Sequence, residues 1–449
     1  MRTLHRLCGF ITVFFLISTA VVSQHRTSTP ADARERLGEA VRKGDVALIE
    51  KLSATILRSQ PNDARVLLLR ANARLTSNNL AGALDDVTAA IKAEPLLLPA
   101  WMLKSEILQR NNRAEEAREV LKDAQRMFPA SEQPSVALGL SWARSGNCHE
   151  AMFALEDALT RKPDNLPAIL QLSQCYLRLS RSDEAVDLLS RTYELRPTDV
   201  TVGVALGDAL VASKRYDSAV TVLQALRRSN PTRSDVDGLY ATALEGSGQS
   251  DSALTVLELF TRRSPKDATA WSGYGLMAAR AGKLDTAARA LKRSVEIDPR
   301  NAPTWFELGV VQHERGFHDE AIQAFRRVTL TAREGAPLAY DNIALVYRSQ
   351  RKYNEAVSAH RQAISLDSTS GRYVASYGLT LHVAERHSEA VQVLEDALQR
   401  WPEDVDVMFA LTRVYIHIGK TDLAKSLIER IETLRPDLAN ELRSNMKSY

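Results

Sequence analysis

Residues 302–331 read APTWFELGVVQHERGFHDEAIQAFRRVTLT, and this stretch decides the fold. Pro303 stands where a helix can begin, because the first turn has no use for the N–H that proline lacks. Gly316 falls just past that helix, where a left-handed cap favours a residue without Cβ. A second helix then carries Ala321 and, four residues on, Phe325 along one face. The unit is a helix, a tight turn and a second helix.

Outward from it, alanine stands at 83, 117, 151, 185, 219, 253, 287 and 321, each 34 residues after the last, then at 356, 390 and 424. Proline keeps the period at 61, 95, 129, 163, 197, 231, 265 and 299 and resumes at 402 and 436, so ten of the 16 prolines share one phase. Two unrelated residue types with one period mean a structural repeat. Leu172 with Tyr176, and Leu206 with Leu210, place apolar side chains one turn apart on first helices. Gly146, Gly248, Gly282 and Gly419, with Asn78 and Asn112, fill the cap position of Gly316. The phased proline closes each second helix by crowding the preceding turn. Pro99, Pro134, Pro167 and Pro337 open first helices as Pro303 does. The constant alanine marks a close crossing of antiparallel helices, where a larger side chain costs about 1 to 3 kcal/mol in overpacking. The fold class is all-α.

These residues resemble the tetratricopeptide repeat family, whose 34-residue pattern runs Trp, Leu-Gly, Tyr, then Ala, Phe and Pro. Trp305, Leu308, Gly309, Ala321 and Phe325 carry the best match. Tyr340, Ala344, Tyr347 and Ala356 make the next unit, and Trp271, Gly275, Ala287 and Pro299 the one before. The resemblance covers about eleven units over residues 64–436, while Gly203 and Asp237 stand where an aromatic is expected. Residues 30–63 form a degenerate N-terminal capping repeat with Ile49 at the small position, and Leu438, Leu442 and Met446 recur along a capping helix in 437–449. Such caps end the stickiness of an array. One extra residue near 331–337, with Arg333 in place of the phased proline and Gly335 before Pro337, reads either as a bend in the superhelix or, the favoured reading, as a harmless insertion in a turn. The resemblance implies a right-handed superhelical solenoid of about eleven to twelve units whose first helices line a concave surface holding a peptide or partner segment. The family's lysine and asparagine clamp for chaperone carboxylate tails is not reproduced here.

The segment 1–29 stands apart. Arg2, His5 and Arg6 precede an apolar run from Leu7 to Val22, and the chain turns polar at Ser23. This is the form of an export signal. Its 16 apolar residues span about 24 Å as a helix, short of a hydrocarbon core of about 30 Å, which favours cleavage over anchoring. The basic residues ahead of the run place the rest outside the cytoplasm, periplasmic or secreted, with membrane contact only through residues 7–22 if the segment stays. The chain carries 58 Lys plus Arg against 55 Asp plus Glu, a formal +3 that falls to +1 without Arg2 and Arg6. No charge run suggests nucleic acid.

One concave row runs Leu68, Met102, Val136, Leu170 and Val204, with Phe306 and Phe409 further on. A second, Asn72, Glu106, Leu140, Gln174 and Asp208, offers mostly polar side chains to an extended backbone. Arg110, Arg144, Arg178 and Arg280 recur near the ends of first helices, either as a rim for acidic groups or as answers to negative helix ends. Sideways packing between repeats is the competing reading of the aliphatic row.

The repeats leave no room for a separate catalytic domain, and no phosphate loop, zinc-protease helix or nucleophile elbow occurs. No cofactor or metal is expected. His313 with His318, and His382 with His387, recur in phase, but a spacing of five puts two side chains about 140° apart on a helix, and a cap intervenes. Cys148 at the start of a second helix and Cys175 late in the next first helix should be neighbours, either bonded, for about 3 kcal/mol, or as two buried thiols. The functional expectation is a non-enzymatic protein-binding scaffold for an envelope or secretion assembly: outer-membrane, pilus or exopolysaccharide machinery. Two rivals are a glycan-binding solenoid serving a glycosyltransferase, which needs clustered carboxylates or stacking aromatics, and a membrane-tethered factor facing the cytosol.

Overall fold

The computed structural model describes residues 30–230 and 233–446. These form α-helices and no strand. Two compact units divide them. The first, residues 1–181, holds α1 (Pro30–Lys43), α2 (Val46–Ser59), α3 (Ala64–Thr76), α4 (Leu80–Ala93), α5 (Leu98–Arg110), α6 (Ala114–Met127), α7 (Gln133–Arg144), α8 (Cys148–Arg161) and α9 (Leu166–Arg178). The second, residues 182–449, holds α10 (Ser182–Leu195), α11 (Val200–Ala212), α12 (Tyr216–Ser229), α13 (Ser234–Gly246), α14 (Ser250–Arg263), α15 (Ala268–Arg280), α16 (Leu284–Ile297) and α17 (Ala302–Glu314). It continues with α18 (His318–Thr331), α19 (Ala336–Ser349), α20 (Tyr353–Leu366), α21 (Gly371–Val383), α22 (His387–Arg400), α23 (Val405–His417), α24 (Thr421–Leu434) and α25 (Pro436–Met446). The apolar run 7–22 and Pro231 lie outside the described residues. Among those described, no helix is long and apolar enough to cross a membrane.

Each phased alanine, from Ala83 to Ala424, is fully buried. The crossing has a second half, of which only Gly275 and Gly309 stood out in the sequence. The facing row on first helices is also small, and at five places it is glycine: 139, 207, 275, 309 and 378. A Cβ on Gly139 would lie 2.5 Å from Leu155 Cγ and 3.2 Å from the Ala151 carbonyl, so here the α7 backbone sits against α8. Gly207 and Leu223, Gly275 and Leu291, Gly309 and Phe325, Gly378 and Leu394 repeat the arrangement. Small side chains on both helices let them approach, and one large side chain then fills the gap.

The turn between the two helices of a unit has the geometry the caps require. Gly44, Asn78, Asn112, Gly146, Ser180, Lys214, Gly248, Gly282, Gly316, Arg351, Glu385 and Gly419 all have φ between 57° and 84°. At Lys214 the N–H bonds the Val211 carbonyl at 3.0 Å and the Arg215 N–H bonds that of Leu210 at 2.8 Å, closing the helix end. A side chain at such a φ is strained, so glycine at this exposed position relieves strain at some cost in chain entropy. Lys214→Gly is expected to stabilise the protein by about 0.5 to 1 kcal/mol, read as a higher denaturant midpoint with an unchanged slope.

The described phased prolines stand one residue beyond the helix cap, as Pro95 follows α4 and its cap Glu94. Their carbonyls also serve as anchors. Trp101, Trp271 and Trp305 donate their indole N–H to the carbonyls of Pro95, Pro265 and Pro299 at 2.9, 3.1 and 3.0 Å. Where Ser135 and Met408 replace the tryptophan, an arginine takes over: Arg161 Nε donates to Pro129 at 2.6 Å, and Arg430 to Pro402. Asp237 is buried in the same row and is paired with Arg227 Nε at 2.7 Å and with Arg263. At Gly203 the space is taken by Leu226. The departures from the aromatic are therefore compensated within the repeat.

At the N-terminal end, α1 and α2 pair and bury Leu37, Ile49 and Ile56. At the other end α25 begins at Pro436, one residue earlier than the sequence boundary, and buries Ala439 and Leu442 against α23 and α24, with Leu438 and Met446 half-buried. The extra residue near 331–337 is absorbed by α19, which has 14 residues where the next first helix, α21, has 13.

Candidate partner-binding surface

In the first unit, Leu68, Met102, Val136 and Leu170 lie at one phase of α3, α5, α7 and α9, and all four are half-buried. They are apolar side chains that the repeat core has not fully enclosed. One turn on, Asn72 and Gln174 are exposed and Glu106 and Leu140 are half-buried. The second unit is less uniform. Val204, Phe306 and Phe409 are half-buried, but Asp341 and Ala375 fill the row between the two phenylalanines and are buried. Phe306 packs edge-on against Phe325 with ring centroids 5.4 Å apart, and Phe409 lies under Arg413. Both aromatics of the glycan-binding alternative thus have intramolecular partners.

Asp208 is solvent-exposed, yet surrounding protein pushes its carboxyl above the usual carboxylate range.

The arginine rim divides. Arg110 is held by Glu106 at 2.7 Å on its own helix. Arg144 donates to Gln109, and Arg280 pairs with Glu245 at 3.1 Å, each reaching back to the preceding first helix. Arg110 is thus braced within its own helix, while Arg144 and Arg280 tie successive repeats together. Arg178 is exposed and makes no ion pair among the described residues. Gln109 and Glu245 each stand 35 residues before their arginine, whereas Arg178 has Ala143 at that place and so no acceptor there.

Cys148 starts α8 and Cys175 lies late in α9, and both are buried free thiols. They are neighbours and stand in this structure as thiols. Burial, and Cys148 beside it, push the Cys175 thiol up to about 12, so it is inert as a nucleophile near neutral pH.

The histidine geometry needs the larger correction. His313 and His318 are not on one helix: they end α17 and begin α18, and the left-handed turn at Gly316 folds them together with Nδ1 atoms 3.3 Å apart. His382 and His387 do the same across Glu385 at 3.0 Å. The 140° separation of a continuous helix does not apply here, because the intervening cap reverses the chain. The largest exposed apolar side chains, Leu96, Phe153, Leu195 and Leu330, lie outside the row altogether.

Family models described as tetratricopeptide repeat match residues 68–132 and 239–302; 143–201, 181–242 and 383–445; and 339–372. No curated protein matches the sequence. Among solved structures, the Cut9 and Hcn1 hetero-tetramer of the APC/C is similar at 15% identity over 94% of this chain and 90% of that one, with a TM-score of 0.37. Yeast Tom70 is similar at 12% identity over 93% and 95%, with a TM-score of 0.43. A tetratricopeptide repeat protein from Parabacteroides merdae is similar at 15% identity over 56% and 98%, with a TM-score of 0.43.

Proposed function

The chain belongs to the tetratricopeptide repeat family, and from that premise we propose that it is an extracytoplasmic adaptor whose first unit holds a segment of a protein partner. The observation that carries this reading is the row Leu68, Met102, Val136 and Leu170, apolar and half-buried at one phase of four successive first helices. Apolar anchors of the partner would complete the burial of these side chains, at about 25 cal/mol per Å² removed from water. Asn72 and Gln174 beside them would bond its backbone. Helices already fixed by their neighbours need little ordering on binding, so more of that gain appears as affinity. Arg178 is the rim residue left for an acidic group of the partner. The export form of residues 1–29 supports a place outside the cytoplasm, in service of an envelope or secretion assembly.

The test compares the mature protein with a Leu68→Asp, Leu170→Asp variant in pulldowns from the native envelope fraction. Both positions are half-buried rather than core, so helicity and melting should stay close to wild type while the partner is lost. Retention of the same partners by the folded variant would move recognition to the outer faces or the termini. Recovery of the processed chain from the cytoplasm would refute the location.

A further inference from the structure

The His382 and His387 pair has a third member. His417, the last residue of α23, brings its ring to 4.8 Å from His382 and 5.0 Å from His387, and those two are themselves 5.0 Å apart, centroid to centroid. Three rings from three consecutive helices therefore make a nearly equilateral triangle. Imidazoles bound to one tetrahedral ion at about 2.1 Å would have their centroids about 5.2 Å apart and their donor nitrogens about 3.4 Å apart. The observed triangle is within a few tenths of an ångström of that, as is the 3.0 Å between the Nδ1 atoms of His382 and His387.

We infer that His382, His387 and His417 form a site for one divalent transition-metal ion of the zinc, nickel or copper class, with a fourth position left to water or a partner group. Imidazole is the ligand these borderline ions prefer. As the side chains stand, no group of three or more His, Cys, Asp or Glu among the described residues could hold a metal ion, so the three rings must rotate from the present triangle for their nitrogens to converge. Two rings are half-buried and His417 is exposed, which leaves an entry path. His382 and His417 lie in the last turns of α21 and α23, whose negative ends favour a cation, against the one positive end of α22 at His387. Arg413 is the opposing charge. His313 and His318 supply an internal comparison, since Ser349 ends α19 where His417 ends α23.

Zinc titration calorimetry on the untagged full chain at pH 7.5 tests the site. One ion per chain is expected, with His417→Ala and His387→Gln each weakening it by about tenfold or more and His313→Ala leaving it unchanged. Zinc should also raise the melting temperature of wild type but not of His417→Ala, because the ion would tie α21, α22 and α23 together. Uptake of zinc equally by wild type and by His417→Ala, with both variants melting as wild type does without metal, would overturn the proposal. So would weakening by His313→Ala as large as that by His417→Ala.

Discussion

His360→Leu is expected to destabilise the second unit by about 3 to 5 kcal/mol, although leucine is the residue found at the matching place one repeat later. His360 is fully buried, with Nδ1 3.1 Å from Asp341 Oδ1 and Nε2 2.9 Å from Thr380 Oγ1. Asp341 and Thr380 are buried as well. Asp341 Oδ1 and His360 Nδ1 face each other without hydrogen-bond geometry, so removing the imidazole leaves a buried carboxyl group against leucine, and the penalty is the desolvation of that group rather than the worth of the contact. Arg348 nearby answers part of it: burial pushes its guanidinium down while Asp341 pulls it up. The next repeat supplies the remedy, since Ala375, Leu394 and Val414 stand at the corresponding places and are buried. The triple variant Asp341→Ala, His360→Leu, Thr380→Val should therefore recover to within about 1 kcal/mol of wild type or exceed it. Denaturant unfolding measures both, and hydrogen exchange should localise the loss to α19, α20 and α21. A triple variant as unstable as the single one would show that shape, not the buried carboxyl group, governs this layer.

Gly309→Leu is expected to cost about 3 kcal/mol, despite a gain of about 1 kcal/mol in helix propensity. A Cβ at Gly309 already falls 2.7 to 2.8 Å from Cε1, Cδ1 and Cζ of Phe325, so the ring must move before the rest of the leucine is placed. Phe325 is 1% exposed and pinned by Phe306, which leaves it nowhere to go. Phe325→Ala alone should cost about 3 to 5 kcal/mol by opening a cavity. Together the two changes exchange the large and small partners across α17 and α18, and the double variant should be less destabilised than the sum by at least about 1 kcal/mol. Additive losses would mean that the two side chains do not share the space.

Much of this was legible from one residue row at a time. The 34-residue period of alanine and proline determined the helix pairs and the burial of every phased alanine, because each repeat faces the same packing problem. The rule that a large side chain on one helix needs a small one opposite was half-visible, in Ala321 and Phe325, but its other half at Gly309 is a relation between positions 16 apart on antiparallel helices. Only the tertiary structure decided matters that depend on which neighbour a side chain meets. Arg144 and Arg280 reach back to Gln109 and Glu245 of the preceding repeat, where no local pattern announces an acceptor. The left-handed turn folds His382 onto His387 and the next repeat brings up His417, although the sequence spacing reads as separation. Periodicity is a property of the chain and survives in the sequence; convergence of residues 5 and 30 apart is a property of how the helices reverse and stack, and it exists only once they have.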